Sequence, residues 1–175
     1  IALIAREAFS DAERTLGRAL QVAPGDAVAL ANLGTVHLNT GRPETAADFF
    51  RRAVALDPGN AVAWANLAEA AHDIDRSDEA IAAVERALAL DPRHAPAHAT
   101  LGVLRLEAGA VPEAIACCER ALALRPDDSR FLGNLANALL ASGRSDAARA
   151  AYDAFLARVP ADSRATYNKG LCQLL

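Results

Sequence analysis

Residues 51–60 read RRAVALDPGN, residues 85–94 read ERALALDPRH and residues 119–128 read ERALALRPDD; residues 153–162, DAFLARVPAD, follow the same plan more loosely. In each stretch a run of Ala and other apolar residues stops at a Pro. Those residues are Pro58, Pro92, Pro126 and Pro160, and with Pro24 they form a series spaced 34 residues apart. A fixed period of about 20–50 residues marks a repeat architecture, in which each period is one supersecondary unit. Counting back from each Pro gives blocks 27–60, 61–94, 95–128 and 129–162. Residues 1–26 are then a partial block, mainly its second helix, and residues 163–175 the first helix of a further repeat or a cap.

Each block reads as two helices. The first begins after Asp26, Asn60, Asp128 or Asp162, whose short polar side chains suit the N-cap; His94 holds that place in the fifth case. Its apolar side recurs at helical spacing in Leu30, Leu33 and His37, with Gly34 or Ala68 at a point of close approach. Gly41, Gly109 and Gly143 end it, because glycine adopts the left-handed conformation of a helix C-terminus; Asp75 replaces Gly in one block. The second helix is expected to open at Pro43, Ser77, Pro112 or Ser145. It ends near the Pro of its block, whose ring disfavours helical geometry in the residue before it. Ala46, Ala80, Ala114 and Ala148 share one register, and Ala53, Ala87 and Ala121 another. These small residues let the two helices approach, while Phe50, Val84, Cys118 and Tyr152 fill the gaps. One hairpin cannot bury its own apolar side, but stacked hairpins can. The expected fold is all-α, a superhelical solenoid of antiparallel helix pairs.

Composition agrees and excludes some functions. Hydrophobic residues make up 53% of the 175, aromatics only 5%, and Ala is the strongest helix former. The net charge is -4 with no basic stripe, so nucleic acid is not an expected partner. Cys117, Cys118 and Cys172 are odd in number, and two are adjacent on a helix, where side chains diverge. A disulfide framework is thus not expected, and a reducing, cytoplasmic compartment is. No apolar run approaches the ~20 residues of a membrane span, and no signal peptide is visible.

The pattern resembles the tetratricopeptide repeat family, through Leu30, Leu33, Gly34, Ala46, Phe50, Ala53 and Pro58 in the first full block and Trp64 at the aromatic position of the next. His98 and Leu132 depart from that aromatic position, and Phe155 stands where the family has Ala. The resemblance implies that the first helix of each hairpin lines a concave groove holding an extended peptide. The sixth residue of successive blocks is Asn32, Asn66, Thr100, Asn134 and Asn168. A carboxamide offers both donor and acceptor, so a row of them can pair with the backbone of an extended chain. This row is similar to the one in the repeat region of O-linked N-acetylglucosamine transferases. Further groove positions by register are Thr35, Asn39, Glu69, His72, Asp73, Glu107, Asn137, Arg130 and Arg164, acidic in the middle and basic towards the C-terminal end. A second family mode grips the free carboxylate of a heat-shock chaperone with Lys, Asn and Arg. The equivalent places here are Ala31, Thr35, Asn66, Pro96 and Thr100, where only Asn66 matches, so that mode is set aside.

No catalytic, cofactor or metal site is expected. There is no phosphate-binding Gly-rich loop, no His-Glu-x-x-His and no Cys-x-x-Cys. His94 and His98 are four apart with Cys118 expected nearby, which is too few ligands for zinc. The row Arg18, Arg52, Arg86 and Arg120, beside Glu85 and Glu119, reads as solvated surface on the second helices. The apolar ends, Ile1-Ala2-Leu3-Ile4 and Leu171-Cys172-Gln173-Leu174-Leu175, suggest a piece of a longer protein that stacks end to end at high concentration. Three functions follow: a module binding a protein or extended peptide, the substrate-recognition arm of a larger bacterial glycosyltransferase, and a self-assembling scaffold.

Overall fold

The computed structural model describes residues 2–173, with side chains from residue 8 onward. Among the described residues there are ten helices and no strand. They run α1 (Ala2–Val22), α2 (Ala27–Asn39), α3 (Pro43–Leu56), α4 (Ala61–Asp73), α5 (Ser77–Leu90), α6 (Ala95–Glu107), α7 (Val111–Leu124), α8 (Ser129–Ala141), α9 (Ser145–Leu156) and α10 (Ser163–Leu171). The apolar residues Ile1, Leu174 and Leu175, and the side chains of Leu3 and Ile4, lie outside the described set.

Local chemistry sets the helix starts. Asp26 accepts from the N–H groups of Val28 and Ala29, Asn60 from Ala63, Asp128 from Arg130 and Asp162 from Ala165. His94 does the same work with Nδ1, which accepts from the Ala97 N–H at 3.2 Å. All five first helices are thus capped by a side chain. The second helices α3, α5, α7 and α9 have no side-chain cap. The expectation that Pro112 opens α7 is off by one: Val111 is the first helical residue and Pro112 the second. Gly41, Gly109 and Gly143 turn the chain with φ of 72°, 76° and 73°, and Asp75 takes the same left-handed conformation at 59°.

The chain divides into two compact units, Ile1–Pro92 and Arg93–Leu175. In the first, α1 to α5 pack in sequence order, and α2 also touches α4. In the second, α6 to α10 do the same, and α6 also touches α8. The small-residue registers work as their spacing suggests: Ala46, Ala80, Ala114 and Ala148 are fully buried, and Phe50, Val84, Cys118 and Tyr152 fill the space they leave. A Cβ on Gly34 would lie 2.7 Å from the Phe50 ring, and one on Gly102 2.7 Å from Cys118 Sγ, so both glycines are required by close approach. Phe155, in place of the usual Ala, packs beside Gly133 of α8, where a Cβ would meet the ring at an ordinary 3.4 Å. There it joins the core of the second unit with Tyr152, Leu139 and Ile115.

Candidate functional site: the face of the first helices

The candidate residues lie on the first helix of each pair. In the first unit, α2 carries Asn32, Thr35 and Asn39, and α4 carries Asn66, Glu69 and Asp73. Asn32, Asn39, Glu69 and Asp73 are exposed; Thr35 and Asn66 are half-buried. Asn66 reaches across to α2, its Nδ2 donating to Thr35 Oγ1 at 3.4 Å. The Thr35 hydroxyl donates in turn to the Ala31 carbonyl at 3.1 Å.

The second unit repeats the device. On α6, Thr100 is half-buried and Glu107 exposed; on α8 and α10, Asn134, Asn137 and Asn168 are half-buried. Asn168 donates from Nδ2 to Asn137 Oδ1 at 3.2 Å, across the same 31-residue separation as Asn66 and Thr35. Asn137 Oδ1 also accepts from the Tyr152 hydroxyl at 2.6 Å. Tyr152 is almost fully buried, so this bond satisfies a phenol that would otherwise be orphaned in the core. Burial pushes its pKa above the ordinary phenol value. Asn32, Asn39 and Asn134 make no side-chain hydrogen bond among the described residues. The row therefore has two kinds of member: carboxamides that tie one hairpin to the next, and carboxamides that make no side-chain hydrogen bond among the described residues.

Charge on this face is partly committed. Arg130, expected at the basic end, folds back on the cap residue of its own helix, with Nε and Nη2 at 3.1 and 3.0 Å from the Asp128 carboxylate. That contact holds the Asp128 carboxyl below the usual carboxylate range. Arg130 and Arg125 also stack over the Phe131 ring. In the first unit His37 is buried, stacked on Phe49 at 5.1 Å, with Nε2 3.8 Å from Glu13. Its pKa is lowered by burial first and by Arg42 second, with Glu13 opposing. Glu13 is gripped by two hydrogen bonds from Arg42, at 3.0 and 2.8 Å, which hold its carboxyl low.

Burial favours the protonated thiol at Cys117 and Cys118. Cys118 is buried and its pKa pushed up to about 12; burial also raises that of Cys117. Nucleophilic and metal-binding cysteines need the thiolate, which burial disfavours. Among the described residues no three His, Cys, Asp or Glu side chains converge as metal ligands, and no helix is long and apolar enough to cross a membrane. In the sequence Tyr152 reads only as a packing residue, and Asn137 is not paired with Asn168. The 31-residue separation shared by Thr35–Asn66 and Asn137–Asn168 is the signal that could have found the second of these.

These hairpins, caps and small-residue registers have counterparts elsewhere. Residues 40–104, 75–131 and 105–167 match a tetratricopeptide repeat family model, and residues 1–61 match a second one. The chain belongs to the tetratricopeptide repeat family. No curated protein matches it in sequence. Among solved structures, this repeat chain is similar to TTC0263, a thermophilic tetratricopeptide repeat protein of Thermus thermophilus, at 27% identity and a TM-score of 0.78 over 99% of this chain and 95% of that one. It is similar to MamA at 26% identity and a TM-score of 0.73, over 91% and 94% of the two chains. The first tetratricopeptide repeat domain of Spaghetti (RPAP3), solved with the HSP90 peptide SRMEEVD, matches at 25% identity and a TM-score of 0.61, over 66% of this chain and 91% of that one. The fold is thus the all-α tetratricopeptide solenoid of helix pairs, a fold consistent with binding a protein or peptide.

Proposed function

We propose that the chain is an interaction module that holds an extended peptide or protein segment against its first helices, in the concave groove typical of its family. The blocks 27–60, 61–94, 95–128 and 129–162 are its binding units. The supporting observation is the Asn row: Asn66 and Asn168 are positioned by bonds to the preceding first helix, while Asn32 and Asn134 keep donors and acceptor for a ligand. Thr35, Asn39, Glu69, Asp73, Thr100, Glu107 and Asn137 complete the face. A row of carboxamides reads backbone, so this module has broad rather than sharp sequence preference.

The test uses peptides selected by the chain from a displayed random library. Asn32→Ala with Asn134→Ala removes carboxamides that make no side-chain hydrogen bond among the described residues. Each lost bond costs about 1 kcal/mol, so the pair weakens binding by roughly thirtyfold. Unchanged affinity with unchanged stability moves the ligand off this face. A second reading, supported by the same Asn row, makes the face the substrate-recognition arm of a larger glycosyltransferase. A catalytic domain in the parent reading frame decides between the two, and light scattering over a wide concentration range tests separately for end-to-end association.

A further inference from the structure

A cleft of about 540 Å³ opens between the second helices α3 and α5, away from the Asn row. Trp64 and Leu67 of α4 form its floor, Val54 and Ala55 one wall, Ala82 and Ala83 the other. Trp64 is fixed by its indole N–H, which donates to the Pro58 carbonyl at 3.0 Å, yet it remains half-buried. At the rim, Arg51 makes two hydrogen bonds to Glu79, at 2.6 and 2.8 Å, which neutralise each other's charge. Arg86, on the same rim, is exposed and makes no ion pair among the described residues.

The preceding hairpin shows what is missing. Phe49 stands one period before Ala83, and Arg52 one period before Arg86. There the guanidinium of Arg52 lies 5.6 Å above the Phe49 ring, and the floor residue Leu30 is completely buried. In the α3–α5 cleft the corresponding Arg has no ring beneath it, and the corresponding floor residue, Trp64, is only half-buried. An open apolar cleft with a cation at its edge favours an aromatic ring, whose face attracts the cation. The uncompensated charge of Arg86 favours a carboxylate next to that ring.

We infer that this cleft binds an aromatic side chain from an acidic segment of a partner protein, with Arg86 stacked over the ring as Arg52 is over Phe49. Trp64 is the chain's single tryptophan and reports on the cleft directly. The probe is a blocked acidic peptide, Asp-Asp-Phe-Asp-Asp, compared with its Ala counterpart by Trp64 emission and by titration. The Phe peptide shifts the emission saturably and the Ala peptide does not. Arg86→Ala weakens the response about two- to fivefold, the range of an exposed cation–π contact. Ala83→Phe installs the ring of the preceding hairpin and abolishes binding while circular dichroism keeps its helical signal. Should that variant fail to fold, Arg86→Ala at the exposed rim decides alone. Asn32→Ala with Asn134→Ala leaves the response intact, which separates this cleft from the first-helix face. Equal response to both peptides, no response, or an unaltered response in Arg86→Ala overturns the assignment. Emission that changes with protein concentration alone overturns it too, by giving the cleft to a second copy of the chain.

Discussion

Gly34 and Gly133 are both helical glycines, yet they answer to different constraints. A Cβ at Gly34 meets the fully buried Phe50 ring at 2.7 Å, so Gly34→Ala overpacks the core and costs about 1–3 kcal/mol in urea denaturation. One hairpin later Ala68 and Val84 hold the same two positions, both fully buried. Phe50→Val therefore relieves part of the Gly34→Ala penalty, and the double variant loses less than the sum of the singles. At Gly133 the nearest atom to a Cβ is Phe155 at an ordinary 3.4 Å, so Gly133→Ala stabilises α8 by up to about 1 kcal/mol. His37 makes a pH prediction. Burial lowers its pKa, so the fold favours the neutral ring. Its contribution is complete above the ordinary histidine value of about 6.5 and is lost as pH falls through the lowered folded-state value. Urea midpoints should fall on acidification from about pH 7 to about pH 5, and His37→Leu, which installs the residue that Leu139 supplies at the same register of α8, should flatten that slope. A slope unchanged in His37→Leu assigns the effect to another group.

At the scale of the helix and its turns, most of the architecture was legible. Asp26, Asn60, Asp128 and Asp162 cap as their chemistry predicts, because an N-cap is decided by two or three neighbouring atoms. His94 was harder to read, since a ring nitrogen accepts only in one tautomer and rotamer; the fold selects that state. The Asp75 turn was readable as a strained copy of the Gly turns, and its φ of 59° supports the prediction that Asp75→Gly stabilises the α4–α5 hairpin, by up to about 1 kcal/mol in thermal or urea unfolding. Less legible was anything that depends on a partner far along the chain. Nothing near Asn137 announces that its oxygen will hold both Tyr152 and Asn168, and nothing near Arg130 that it will serve its own cap. The place of Phe155 is of the same kind: it packs beside Gly133 and joins the core with Tyr152, Leu139 and Ile115 only once α8 and α9 are packed.

At the scale of the whole molecule, two compact units present the same two kinds of surface. The first helices offer a polar, carboxamide-rich face, and the second helices offer small apolar residues between arginines. An Asn bond across 31 residues occurs once in each unit, at Asn66 and at Asn168. In the proposed function a peptide or protein segment lies along the first helices. It is tested most directly by placing a photo-crosslinking amino acid at Asn39 or Glu107, exposed on that face, and at Glu44 or Arg120, exposed on the second helices. With a peptide selected by the wild-type chain, crosslinks from Asn39 and Glu107 and none from Glu44 and Arg120 are the predicted result. Crosslinks from Glu44 and Arg120 alone would overturn that placement and put the ligand on the second helices.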